Sequence, residues 1–185
     1  MVMRIIGSVI ARIGSKRLAY KNLLPYKGVP LVRHALIKLI DASLFDEVVL
    51  STDSELIART CTDLKNVSIL KRPDQLASDS VASIPVFQHI VQNFPCDLHL
   101  NYNCNFTECP NEVFEQAIEL AQKSGESLSV PYAVWAQTNS CLMNYGDPFK
   151  ITAKTFVSKN ISPLDIHTMD DLIEMHRANQ APFNW

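Results

Sequence analysis

Glycine is scarce in this chain of 185 residues, with only five, and neither glycine-rich phosphate motif is present. The absence of G-x-x-x-x-G-K-[ST] and of G-x-G-x-x-G excludes a P-loop and a dinucleotide fingerprint. No stretch reaches the ~18 successive apolar residues that a membrane-spanning helix needs. Charges follow the first apolar run too soon for a signal peptide, so a cytoplasmic protein without membrane contact is expected. The five cysteines are odd in number and include no Cys-x-x-Cys pair, which argues against a disulfide framework or a zinc knuckle. Cys104 and Cys109 read as packing residues. A net charge of −2, with little aromatic interleaving in the basic stretch, excludes a nucleic-acid binder.

What is present is unevenly placed. The first forty residues carry eight Lys or Arg and no acid, whereas the remainder holds nine basic and nineteen acidic residues. A basic segment in an otherwise acidic chain suits a small polyanion, although a solvated basic face has the same composition. Apolar runs alternate with helical periodicity. Strands are expected at Met3–Ile10, Glu47–Ser51, Val67–Leu70, Leu98–Tyr102 and Ser127–Ala133. Between them lie a helix over Leu31–Ala42, one over Glu55–Asp63 capped by Ser54, one capped by Ser83 and one capped by Asn111. Residues 137–164 read as irregular with one or two short strands, and Thr168 or Asp170 begins a last helix. Asp170 and Asp171 suit its positive N-terminal end. The tail aromatics Phe183 and Trp185 either dock or fray.

Strands alternating with helices predict an α/β, Rossmann-like three-layer fold with a mostly parallel central sheet, formed as one domain over residues 1–185. Ligands of such sheets bind beyond the carboxyl ends of the strands. Residues 11–30 follow the first strand, and they form the most basic segment of the chain. Gly14 and Ser15 can turn tightly and offer backbone N–H groups to an anion. Arg12, Lys16, Arg17 and Lys21 add four cations within ten residues.

Here the sequence resembles the CMP-sialic acid synthetases (acylneuraminate cytidylyltransferases), a family of sugar nucleotidyltransferases. Their pattern A-R-x-G-S-K-x-x-x-x-K-N, then G-x-P-L, is met by Ala11, Arg12, Gly14, Ser15, Lys16, Lys21, Asn22, Gly28, Pro30 and Leu31. The stretch from Leu44 to Ser51-Thr52-Asp53 resembles the family's second strand, and Arg72-Pro-Asp-Gln-Leu-Ala-Ser-Asp79 its R-P-x-x-L-A-x-D loop. Residues 162–172 resemble its late D-I-D-T-x-x-D-L element. The resemblance implies the nucleotide-diphospho-sugar transferase fold, with CTP and an acidic sugar as substrates. Arg12, Gly14, Ser15, Lys16 and Lys21 would hold the triphosphate, with Arg12, Lys16 and Lys21 catalytic. Asn22, Arg72 and Ser83 would read cytosine and ribose. Asp165 would hold Mg²⁺, with Mn²⁺ as the alternative. The reaction implied is attack of a sugar hydroxyl on the α-phosphorus of CTP with loss of pyrophosphate.

Three departures bear on that reading. His167 stands where the late motif has its second acid; it is either a drifted loop residue or a ligand better suited to manganese. The segment that faces the sugar in the family is replaced by residues 102–108, where only Asn103 stands in for the family's glutamine. The insertion at about 132–164 is shorter than the family's dimerisation arm, so a homodimer would have to form without the full arm. A catalytically degenerate nucleotide-binding relative, or a transferase of the same fold with another acidic acceptor, are the alternatives. Tyr132, Trp135 and Tyr145 suit either a sugar pocket or packing.

Overall fold

Ile and Val crowd the first strand because β-branched chains fit a pleat covered on both faces. That strand, β1 (Ile5–Ala11), is central in the computed structural model, which describes residues 3–180. Phe183 and Trp185 lie outside the described residues. A small ribbon follows, β2 (Pro25–Tyr26) and β3 (Val29–Pro30). Its linking residues Lys27 and Gly28 have φ of 48° and 83°, the positive pair that a type I′ two-residue turn requires. Helix α1 (Leu31–Ala42) buries Val32, Ala35, Leu36 and Leu39, the stripe its periodicity predicts.

Strand β4 (Glu47–Thr52), helix α2 (Glu55–Arg59), strand β5 (Val67–Lys71) and helix α3 (Ser83–Asn93) come next. Strand β6 (Leu98–Tyr102), helix α4 (Asn111–Ser124), strands β7 (Glu126–Val130) and β8 (Val134–Thr138) and helix α5 (Asn139–Met143) continue the chain. Strand β9 (Lys154–Val157) and helix α6 (Met169–Ala178) complete it. The sheet order is β5-β4-β1-β6-β8-β7-β9. All pairings are parallel except those of β8, which runs antiparallel to both its neighbours.

Helices cover both faces, as the three-layer reading requires. Val32 and Leu36 of α1, Ile57 of α2 and Phe114 of α4 share one apolar cluster with Val9, Leu50 and Leu100 of the sheet. On the other face Ile84, Phe87 and Val91 of α3 pack with Trp135 and with Leu142 of α5. A smaller cluster joins Leu18, Tyr26 and Leu31 to Ile166, Leu172 and Met175, tying the basic loop to the last helix. No helix among the described residues is long and apolar enough to cross a membrane.

Several expected boundaries are corrected. Ser83 and Asn111 are the first helical residues and not the caps; Ala82 and Pro110 hold those positions, both extended and without a side-chain cap bond. Ser54 and Thr168 do cap, the latter in a reciprocal box with Asp171. Helix α2 stops at Arg59 because the amides of Thr60 and Cys61 turn to Ile57 and Ala58, three residues back. The strand expected over 127–133 ends at Val130. Ser129 Oγ accepts the N–H groups of Ala133 and Val134 at 3.1 and 2.9 Å and donates to the Pro131 carbonyl at 2.7 Å, which folds the chain back into β8.

A Cβ at Gly7 would lie 2.9 Å from the Phe45 ring, which itself packs edge-on against Phe114. Gly7→Ala is therefore expected to destabilise the protein by about 1–3 kcal/mol, the usual cost of overpacking, read as a lower midpoint in urea unfolding. An unchanged midpoint would mean that Phe45 moves aside freely.

Candidate nucleotide site

The central strands end at one edge of the sheet, where the chain after each must leave. Beyond that edge lies a cavity of about 600 Å³, within the range of small-molecule pockets. Its walls come from distant parts of the sequence. Arg12, Ser15, Lys16 and Lys21 enter from the loop after β1, Arg72 from beyond β5, and Ser83 from the first turn of α3. Asn22 and Asn103 also line it. Eight of the ten residues singled out by the sequence thus meet in one space.

The other two stand differently. Gly14 does not line the cavity, and a Cβ built there meets nothing within 4 Å. The tight turn expected at Gly14-Ser15 is present, but Ser15 N–H donates to the Ile13 carbonyl at 3.0 Å and is satisfied inside the loop. Asp165 sits one contact behind the wall. Its Oδ1 accepts from Asn105 Nδ2 at 2.9 Å and its Oδ2 lies 2.8 Å from His167 Nε2. Both of these neighbours line the cavity.

The loop is held from below. Asp53, the last residue of the Ser-Thr-Asp stretch, accepts the Ile13 N–H at 3.0 Å. Asn22 is buried and spends its amide on the scaffold: Nδ2 donates to the Arg12 carbonyl at 2.8 Å, and Oδ1 accepts from Cys104 Sγ at 3.3 Å. Burial pushes the Cys104 thiol up, so it is a packing thiol at the cavity wall, as expected. Asn103 Nδ2 donates to the Tyr132 carbonyl at 3.2 Å, and Asn103 Oδ1 accepts the Asn105 N–H at 3.2 Å.

Five cations line the cavity: Arg12, Lys16, Arg17, Lys21 and Arg72. Arg72 is buried, with Nη2 donating to the Ser51 carbonyl at 2.8 Å. Burial brings its pKa down to about 10, so it stays charged at neutral pH. Lys21 is also lowered, first by burial and against the pull of Cys104 and Asp165. Its Nζ donates to Asn105 Oδ1 and to the Ile166 carbonyl at 3.2 Å. Arg12 and Lys16 both pair with Asp79.

His167 is not an idle loop residue. Arg17 donates to its Nδ1 at 2.6 Å, and because a guanidinium can only donate, that nitrogen carries the lone pair. The ring proton is then on Nε2, facing Asp165. Asp171 is no part of the cleft; its Oδ2 accepts the N–H groups of His167 and Thr168 at 2.9 and 2.7 Å. Trp135 is buried among Phe87, Tyr132 and Tyr145, and of the three aromatics proposed for a sugar pocket only Tyr132 reaches the cavity.

Sequence reasoning gave no role to Asn105 or Asp79. Asn105 lies in the segment where the resemblance fails, so no pattern marked it. Asp79 was visible as the end of the R-P-x-x-L-A-x-D loop, but its reach across the cleft was not.

The fold is shared with solved nucleotidyltransferases. The structure superposes on CMP:2-keto-3-deoxy-manno-octonic acid synthetase complexed with CTP at a TM-score of 0.78, with 14% identity over 95% of this chain and 98% of that one. It also superposes on Rv0371C of Mycobacterium tuberculosis in complex with manganese, at 0.65 and 16% identity, over 95% of this chain and 99% of that one.

Residues 6–163 match the family model of the cytidylyltransferases, and the chain belongs to that family. Among curated relatives, CMP-N,N'-diacetyllegionaminic acid synthase of Legionella pneumophila is 31% identical over 68% of this chain and 56% of its own length. N-acylneuraminate cytidylyltransferase of Streptococcus agalactiae is 31% identical over 50% of this chain and 22% of its own. The chain thus spans between about a fifth and just over half of the relatives it matches. The resemblance to CMP-sialic acid synthetases read from the loop agrees with these names.

Proposed function

We propose that this chain is a CTP-dependent cytidylyltransferase, transferring CMP to a sialic-acid-like nonulosonic acid with release of pyrophosphate. The observation that carries this is the convergence of Arg12, Lys16, Lys21 and Arg72 on one cavity in a chain of the cytidylyltransferase family. Several cations gathered in one cleft stabilise charge that builds on a leaving pyrophosphate. Arg12, Ser15, Lys16 and Lys21 grip the triphosphate. Arg72, Ser83 and Asn22 would read cytosine and ribose. Asn103 faces the acceptor. The unit is taken to act as one domain in the cytoplasm, with any self-association independent of a full-length arm.

Family membership and the manganese-bound fold neighbour favour a divalent ion. No group of three or more His, Cys, Asp or Glu side chains suited to a metal occurs among the described residues. A single carboxylate nevertheless fits Mg²⁺, which binds through one or two carboxylates with water and substrate phosphates. Asp165 would hold it, and the ion would neutralise phosphate charge. Both ring nitrogens of His167 are engaged, which suits a residue that orients Asp165 more than a direct ligand.

The test is pyrophosphate release from CTP across a panel of nonulosonic acids with Mg²⁺ or Mn²⁺. Release is expected with CTP and a matching acid, and not with ATP or GTP. CTP binding without turnover on any acid would instead select the degenerate relative. His167 in place of the family's second acid and the replaced acceptor segment 102–108 favour that second reading, which also expects His167→Asp to restore nothing.

A further inference from the structure

Asp79 grips the phosphate loop from the far wall of the cleft. One carboxylate oxygen pairs with the Arg12 guanidinium and the other lies 2.5 Å from Lys16 Nζ. Its own loop lies between a short 3-10 turn (Asp74–Leu76) and α3, more than sixty residues along the chain from the cations. The Asp79 side chain is 30% exposed, whereas that of Lys16 is 76% exposed, so a surface lysine pairs with a more buried acid. Asp79, Arg12 and Lys16 all line the same cavity. A phosphate held by Arg12 and Lys16 competes with Asp79 for the charge of the same two cations.

We propose that Asp79 is a built-in competitor for the phosphate subsite, a latch that weakens the hold on pyrophosphate and helps it leave after transfer. The naming of pyrophosphate as the departing anion rests on the proposed function; the competition itself does not. An internal anion that occupies the donors lowers the apparent affinity of an external one by the fraction of time the donors are free. Partly exposed ion pairs are individually weak, but two cations on one carboxylate act together. The expected penalty is about three- to tenfold in affinity. A ligand with several phosphates can also reach Lys21 and Arg72 and so pull the latch open. Once the bond to the α-phosphorus is broken, the departing anion has lost its tether to the nucleotide, and Asp79 can retake Arg12 and Lys16.

The test uses the full chain and inorganic pyrophosphate as the probe, by titration calorimetry without metal or nucleotide. Asp79→Asn is expected to bind pyrophosphate about three- to tenfold more tightly than the wild type. Asp79→Ser should do the same and guards against a defect peculiar to asparagine. Asp74→Asn removes one negative charge from the neighbouring 3-10 turn without touching either cation, and should leave the affinity unchanged. Unchanged or weaker binding in both Asp79 variants overturns the proposal, as does an equal gain in Asp74→Asn, which would mean general electrostatics. No binding by any of the proteins also overturns it. Turnover of CTP is scored separately. If turnover is present and the latch effect absent, the transferase reading stands alone; if turnover is absent and the latch effect present, only the reaction has been misread.

Discussion

Lys21→Met is expected to lower the rate of pyrophosphate release from CTP by about a hundredfold or more, with the fold intact. Met keeps the length and bulk of the lysine stem and removes only the charge. The Nζ of Lys21 stands at a junction: it donates to Asn105, whose amide in turn holds Asp165, and to the carbonyl of Ile166. One substitution therefore removes a phosphate cation and loosens the carboxylate proposed for the metal. Stability should fall only modestly, because the lost donor to Asn105 and to the Ile166 carbonyl is offset in part by the desolvation cost of the buried ammonium. Lys27→Met is the matched control. Its ammonium pairs with Glu108 at 2.6 Å and lines no part of the cavity, so the rate should hold. A Lys21→Met enzyme that turns over at the wild-type rate would remove this lysine from the machinery.

The second large effect concerns stability. Glu126 is buried on β7, and its carboxyl group accepts from Trp135 Nε1 at 2.8 Å, Gln137 Nε2 at 3.2 Å and Thr152 Oγ1 at 2.9 Å. Glu126→Ala strands the buried Trp135 and Gln137 donors away from water and removes one partner of the exposed Thr152. A buried group left unpaired costs about 1–3 kcal/mol, so a total loss of about 3 kcal/mol or more is expected. For a chain of this size that corresponds to a fall in melting temperature of roughly 6–12 °C. Glu126→Gln retains an acceptor oxygen and should lose less. Calorimetric scans of the two variants decide the matter; equal melting temperatures for Glu126→Ala and wild type would show that the donors find other partners. The cleft lies outside this network, so the folded fraction of either variant should retain its CTP affinity.

The sequence was most readable where one physical rule acts alone. Periodicity marked α1 through Val32, Ala35, Leu36 and Leu39, and the β-branched runs marked β1 and β4 to within a residue or two. It was least readable where a side chain overrides backbone propensity. Nothing in the composition of residues 127–133 announces that Ser129 will gather two amides and a carbonyl and turn the chain into β8. The site divides in the same way. Arg12, Lys16 and Lys21 were visible because they fall in order on the pattern of the CMP-sialic acid synthetases, in a basic loop after the first strand. Their partners were not, since Asp79 and Asn105 meet them only after the chain has closed on itself. The reversed pair at His167, where an arginine faces an imidazole lone pair, has no counterpart in local sequence at all.

The small cluster of Leu18, Tyr26, Leu31, Ile166, Leu172 and Met175 makes the basic loop and the last helix a single mechanical part, although about 150 residues separate them in sequence. Such a part is not modular. Residues 11–30 transplanted into another scaffold would carry their charges but leave behind the seat that aims them. Drift at one end, at Leu18 or at Met175, has to be answered at the other.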